Sequence, residues 1–91
     1  MSARIKILGQ ESALPTTTGT ATSFTAATVV RLVNTSTTND YVITVVETQS
    51  GSVIGSFTLM RTQTELLEKL PAYCVYSSNA AVLGAKVGFT N

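Results

Sequence analysis

The feature that most constrains this chain is a period-two alternation of apolar and polar residues, broken by short polar turns about every 8 to 12 residues. Successive side chains of a β-strand point to opposite sides, so a half-buried strand shows this period. Residues 3–8, 28–34, 41–47, 52–59 and 81–89 follow it. The pattern predicts an all-β chain that forms a small single-domain β-sandwich or barrel of about six antiparallel strands over residues 1–91.

One apolar set from each segment is expected to build the core. In the first segment Ala3, Ile5 and Ile7 share one face, and Arg4 and Lys6 share the other. The predicted core is Ile5, Ile7, Val30, Leu32, Ile43, Val45, Ile54, Phe57, Leu59, Leu67, Leu83, Val87 and Phe89.

In the last segment the predicted phase turns the odd-numbered residues from Leu83 to Phe89 inward and the even-numbered residues from Val82 to Gly88 outward. Two glycines also carry predictions. Gly51 lies in a turn that favours a positive φ, and Gly55 marks a β-bulge.

Two other segments lack a clean alternation. Residues 64–70 have leucines in both strand phases and also on one helical face, so a strand and a short helix both stay open. The hairpin-length connections before this segment favour the strand, and Pro71 ends the element in either case. Residues 71–79 are predicted to form an irregular loop that carries two tyrosines.

Hydroxyl residues replace the usual charged surface. The chain has 16 Thr and 9 Ser, and its charged residues make up 12%, against about 25% in a typical domain. A surface low in charge is poorly protected against association, which favours a subunit of an assembly. A stable monomer with a Thr-rich exterior is the alternative. Residues 16–25 are predicted to be a Thr-rich loop or edge segment.

The composition argues against catalysis and against several kinds of partner. The chain has no His and one Cys, so we expect no catalytic residues, no metal site and no cofactor. Cys74 is expected to be a small buried hydrophobe. Six scattered basic residues give no stripe for nucleic acid, and no apolar run reaches the roughly 18 residues of a membrane span.

Two segments are predicted to form the partner-binding surface. A loop stiffened by proline and rich in tyrosine offers rigid contact area, and an uncharged segment could extend along a neighbour. The alternative is that the tyrosines cap the core and the Thr-rich stretch packs on its own domain. The predicted interface residues are Leu70, Pro71, Tyr73, Val75 and Tyr76 together with Thr16, Thr17, Thr18 and Thr20.

Five runs carry a resemblance to a known group of proteins. They are RIKILGQE at 4–11, TVVRLVN at 28–34, IGSFTL at 54–59, EKLP at 68–71 and AKVGFTN at 85–91. Together they resemble short virion proteins of tailed phages, in particular marine and cyanobacterial phages. The resemblance implies a structural component of the virion, made in the host cytoplasm, with other virion proteins as its partners.

Within that group we expect a capsid decoration or cement protein, present in many copies on the lattice of the major capsid protein or as a homo-oligomer. A tail or neck protein is the alternative inside the same class. A carbohydrate- or cell-surface-binding β-sandwich is the alternative from another class, although it would favour exposed aromatic rings and the chain has no Trp.

Overall fold

The computed structural model describes the backbone of residues 4–90 and the side chains of residues 5–88. All of its strand pairs are antiparallel. The eight strands are β1 (Arg4–Ile7), β2 (Ser12–Ala13), β3 (Val29–Asn34), β4 (Tyr41–Val46), β5 (Val53–Leu59), β6 (Thr64–Glu68), β7 (Cys74–Ser77) and β8 (Val82–Thr90), with one 3-10 turn at Thr18–Thr20. The all-β prediction is therefore confirmed.

The strands form two sheets that pack face to face. The larger sheet has the order β1-β8-β3-β6, with β2 beside β1 on the same edge of β8, and the smaller sheet has the order β5-β4-β7. Strand β8 follows all the other strands in the chain, yet it lies inside the larger sheet and pairs with β1, β2 and β3.

The core lies between the sheets and contains much of the predicted set. Its buried residues come from both sheets and from the connections: Leu14, Ala27, Val30, Leu32, Ile43, Val45, Leu59, Val75 and Val82. Phe57 and Leu67 pack against this cluster while partly exposed. The alternation of β3 and β4 therefore predicted the buried face of each central strand correctly, because each has a covered inner face.

The predicted burial of Ile5 and Ile7 is wrong. These side chains are 41% and 64% exposed. Ile7 pairs with Val87, and Val87 pairs with Val29, and directly opposite residues of a sheet share a face. All three therefore point away from the smaller sheet. Ala3 lies outside the described residues.

The predicted burial of Ile54 is also wrong, because its side chain is 48% exposed. The core-facing residues Ile43 and Val45 of β4 pair with Phe57 and Gly55, so the odd-numbered residues of β5 face the core. Val46 then pairs with Val53, which leaves Ile54 as an extra residue in β5. The bulge predicted near Gly55 is confirmed.

The predicted phase of β8 is reversed. Leu32 faces the core and lies opposite Gly84, so the even-numbered residues of β8 face inward. Gly84 is required there because a Cβ at this position would lie 2.7 Å from Cζ of Phe24. Both phases of this segment contain small or apolar residues, so alternation alone could not select the right one. The side chain of Phe89, predicted to face inward, lies outside the described part.

The segments without clean alternation gave one correct and one incorrect prediction. Residues 64–68 form strand β6, which settles the open choice in favour of a strand. The irregular loop predicted over residues 71–79 is partly wrong, because β7 lies within it and pairs with β4. A strand of four residues is too short for a period of two to stand out after Pro71.

The turn between β4 and β5 also differs from the prediction. Ser50 has the positive φ, at 60°, and Gly51 does not. A Cβ on Gly51 would lie 2.6 Å from Oγ1 of Thr48. The glycine therefore serves a close approach of the chain and not a left-handed conformation.

The Thr-rich segment packs on the free edge of β7. The Ser77 N–H donates to the Pro15 carbonyl at 2.9 Å, and Thr22 and Val75 exchange backbone hydrogen bonds of 3.1 and 2.8 Å. Between these points the chain reaches the β4–β5 turn, where the Ser50 N–H donates to the Thr18 carbonyl. Three residues in the left-handed region, Phe24 to Ala26, then insert the Phe24 ring over Gly84.

Asn34 is a fully buried polar residue that joins the two sheets. Its Nδ2 donates to the carbonyls of Asn39 and Leu59, each at 3.0 Å, and its Oδ1 accepts from the Ser36 N–H at 2.9 Å. It therefore shapes the β3–β4 turn and ties β3 to the end of β5.

We predict that acid weakens a link between two turns. Asp40 accepts hydrogen bonds from the backbone N–H, Nε and Nη2 of Arg61, and the side-chain hydrogen bond from Arg61 holds the pKa of the Asp40 carboxyl below its ordinary value. A lowered folded-state pKa stabilises the fold above the unfolded-state pKa of about 3.9, and this contribution is lost as the pH falls through the folded-state value.

Urea unfolding of the native protein and of Asp40→Asn from pH 6 down to about pH 2 tests this expectation. The difference in the free energy of unfolding between the two proteins should shrink toward low pH. A difference that stays constant over this range would contradict it.

Candidate interaction surface

The larger sheet turns an apolar surface away from the core, and we call this surface the outer face. Ile7, Val87 and Val29 lie in one row across three strands, and Leu83 lies beside Val33 in another. Between these rows, Arg31 lies between Ala85 and Leu66. The outer face consists of Ile5, Ile7, Val29, Arg31, Val33, Leu66, Leu83, Ala85 and Val87, with Ala13, Thr64 and Glu68 at its edges.

Part of the outer face is covered by its own neighbours, and part is open to solvent. Ala85 and Val87 are buried beneath adjacent side chains, whereas Leu66 is 43% exposed and Ile7 is more exposed still. Single exposed apolar residues are ordinary, but contiguous apolar patches on a folded domain mark contact sites. The outer face is therefore the strongest candidate for a contact surface.

One ion pair crosses the outer face. Nη1 of Arg31 lies 3.2 Å from Oε2 of Glu11, and both side chains are partly exposed. A pair of this kind contributes about 0.2 to 1 kcal/mol to folding. Arg31 is therefore more useful as a polar group within an apolar surface, an environment in which arginine is enriched at protein interfaces.

A groove of about 460 Å³ continues the outer face at the Val29 end. Its other walls come from the end of β6 and the turn that follows, where Leu70 is 59% exposed. The groove is lined by Thr28, Val29, Glu68, Lys69, Leu70, Pro71 and Tyr73. Val29 belongs to both surfaces, so the groove and the outer face form one continuous apolar area.

Lys69 holds the rim of this groove. Its side chain is buried, and Nζ donates to the Ala27 carbonyl at 2.8 Å and lies 3.4 and 3.5 Å from the carbonyls of Leu70 and Pro71. Burial lowers the pKa of the Lys69 amine, because the charged form loses hydration. The ammonium group therefore positions the Leu70–Pro71 turn and has little contact with solvent.

The structure separates the predicted interface residues of β7 and the turn before it. Leu70 and Pro71 are exposed, and Tyr73 is half-buried against the core while it lines the groove. Val75 is fully buried between the sheets, so its side chain offers no surface to a partner. Tyr76 points to the far side of the smaller sheet, where it packs against a second buried cluster.

The predicted threonines lie with Tyr76 and not with the groove. Thr16, Thr17, Thr18 and Thr20 are exposed on the segment that runs from Pro15 to the β4–β5 turn. Ala21, at the end of this segment, packs on Val46 and Cys74 on the outer side of the smaller sheet. Leu70, Pro71 and Tyr73 therefore lie apart from Tyr76 and the four threonines.

Sequence reasoning missed part of the outer face because it assigned Ile5, Ile7, Leu83 and Val87 to the core. Ile5 and Ile7 are the most exposed of these. A signal was present in β3, where Val29 and Val33 are apolar although Val30 and Leu32 already supply a buried face. A strand that is apolar in both phases indicates cover on both sides.

The remaining features of the described part offer little chemistry. A second depression of about 280 Å³ lies between Leu8, Phe24 and Lys86, and the Lys86 amine there donates to the Thr25 carbonyl at 3.0 Å. Cys74 is a buried free thiol. Among the side chains that the structure describes, no three acidic or thiol groups are placed to hold a metal ion. None of the described residues forms a helix long and apolar enough to span a membrane.

Comparison of the chain with protein-family profiles, with curated proteins and with solved structures gave no match.

Proposed function

We propose that this chain is a non-catalytic structural subunit of a tailed-phage virion, and that it acts as a capsid decoration protein. The outer face carries the proposal, because it is a contiguous apolar surface on a domain with only 12% charged residues. The five sequence runs that resemble short virion proteins support the location in the particle.

The outer face and the groove bind the major capsid protein in this proposal. Burial of apolar surface supplies roughly 25 cal/mol per Å², and Arg31 with Glu11 supplies polar contacts near the centre. Because the subunit binds only the assembled lattice, it stabilises that lattice by mass action, by about 2.7 kcal/mol per site at a hundredfold excess over the dissociation constant.

Particles that lack this subunit test the proposal, since they should form and then open at a lower temperature than complete particles. Adding back the native protein should restore the melting temperature. Leu66→Lys should bind particles about tenfold more weakly or worse, because it places a charge inside an apolar contact.

Val42→Lys is the matched control for Leu66→Lys. Val42 is also 43% exposed, but it lies on the smaller sheet, on the side that points away from the core and from the outer face. This variant should restore particle stability as the native protein does, and both variants should melt like the native domain in isolation. Equal melting of particles with and without the subunit would remove the decoration role.

The copy number in purified particles distinguishes the sites within a virion. A decoration protein should match the capsid lattice in number, whereas a tail or neck protein should follow the symmetry of the tail. Quantitative mass spectrometry of particles measures this number.

A further inference from the structure

Every sheet has edges, and three of the edges of this sandwich are protected. Exposed edge strands pair with other chains unless charges, covering segments or proline prevent it. The β1 edge carries Lys6, and the β6 edge carries Glu65 and Glu68. The β7 edge is covered by the segment from residue 15 to residue 22.

The β5 edge lacks charge and proline, and its one protection is the bulge at Ile54, which affects only the first part of the strand. Among the strands that the structure describes, β5 ends the smaller sheet and pairs only with β4. Residues 48–60 contain no charged residue and no proline. Most of the strand is exposed. The bulge at Ile54 twists its first part, so regular pairing is open over residues 55–59.

The hydrogen bonds around β4 identify which backbone groups of β5 are free to pair. The Ser78 N–H donates to the Val42 carbonyl at 2.9 Å, so Val42 and Thr44 direct their backbone groups to β7. The alternate residues of β4, which are Tyr41, Ile43 and Val45, therefore form their backbone hydrogen bonds with β5.

It follows that the partners of these β4 residues, Gly55, Phe57 and Leu59, turn their backbone groups toward β4. Ser56 and Thr58 turn their N–H and C=O groups to the open edge. Neither residue forms a side-chain hydrogen bond within the described part of the chain.

We infer that the β5 edge pairs with the β5 edge of a second copy of this chain, in antiparallel orientation about a two-fold axis. With the axis beside Phe57, Ser56 lies opposite Thr58 of the second copy, and each such pair exchanges both of its N–H···O bonds. The two smaller sheets then continue as one sheet across the dimer.

The chemistry of the edge favours a second copy as the occupant. Two-fold pairing places the same strand opposite itself, so any charge in β5 would meet a like charge nearby. The uncharged run from residue 48 to residue 60 avoids this repulsion, whereas the glutamates of β6 and Lys6 of β1 would create it. The half-buried Phe57 rings of the two copies would lie side by side and lose more of their exposed surface.

Sedimentation of the purified full chain over a range of concentrations tests the inference. The native protein should show a monomer–dimer equilibrium. Ser56→Pro removes an N–H that faces the open edge and leaves the β4–β5 hydrogen bonds in place, so the dissociation constant of the dimer should rise about tenfold or more. Ser56→Thr keeps this N–H and is the matched control.

Thr58→Lys is a second variant that does not depend on proline. It brings two cations together across the axis, so it should weaken the dimer most at low salt. Circular dichroism and thermal melting of each variant verify that the monomer is folded. A native protein that stays monomeric at every concentration, or a Ser56→Pro variant that dimerises as tightly as the native protein, overturns the inference. Neither result depends on whether the outer face binds a capsid.

Discussion

Replacement of Asn34 by Asp should lower the free energy of unfolding by about 3 to 5 kcal/mol, the range found when a buried charge loses its compensation. The native Nδ2 donates to the carbonyls of Asn39 and Leu59. A carboxylate in its place would present an oxygen to two carbonyl oxygens in a fully buried site. A domain of this size has only about 5 to 15 kcal/mol of stability, so a large part would be lost.

The pH dependence of Asn34→Asp gives a second, independent signature. Burial and the facing carbonyls raise the pKa of the new carboxyl above its unfolded value of about 3.9. Its penalty is therefore smallest below that pH and grows as the pH rises toward the folded-state pKa. Urea unfolding of the variant and the native protein at about pH 3.5 and pH 7 measures the change.

Asn39→Asp is the matched control, because its side chain is exposed in the same turn and bonds only to Thr38. It should change the free energy of unfolding by no more than about 0.5 kcal/mol. A loss below about 1 kcal/mol for Asn34→Asp, or one that is the same at both pH values, would contradict the account of this site.

The second large effect is expected at Gly84. An added Cβ would lie 2.7 Å from Cζ and 3.0 Å from Cε1 of Phe24, and 3.1 Å from Cδ2 of Leu32. Gly84→Ala therefore overpacks the core and should cost about 1 to 3 kcal/mol, measured by thermal or urea unfolding. The turn from Phe24 to Ala26 has three positive φ values and little freedom to move the ring away.

Gly55 provides the matched control for Gly84, since a Cβ there would meet nothing within 4 Å. Gly55→Ala should be neutral or slightly stabilising, because it restricts the unfolded chain. In a Phe24→Leu background, which removes the end of the ring, the cost of Gly84→Ala should fall by about 0.5 kcal/mol or more. The same cost in both backgrounds would show that Phe24 is not the obstruction.

The sequence predicted which segments form the central strands better than it predicted which face of each strand is buried. Val30 and Leu32 in β3 and Ile43 and Val45 in β4 were placed correctly, because β-branched runs between polar turns are strong strand signals. Alternation identifies an apolar face without telling whether that face meets the other sheet or solvent. Ile5 and Ile7 were assigned to the core for this reason.

The candidate surface and the interface residues predicted from the sequence overlap only in part. Leu70, Pro71 and Tyr73 do line a groove that continues the outer face. Because β7 is a strand, Val75 points to the core and Tyr76 points to the opposite side of the smaller sheet. The loop predicted for this segment could not give that direction. The grouping of β1, β3, β6 and β8 into one face arises from long-range pairing, which no local pattern contains.

The position of β8 has a consequence for the time at which the protein can fold. The larger sheet has no direct contact between β1 and β3 until β8 pairs with both. On a ribosome, the chain preceding β8 can form the β4–β5 hairpin, but β1, β2 and one edge of β3 must wait unpaired. Completion of the sheet therefore waits for β8 and closes long loops, and such closure is slow.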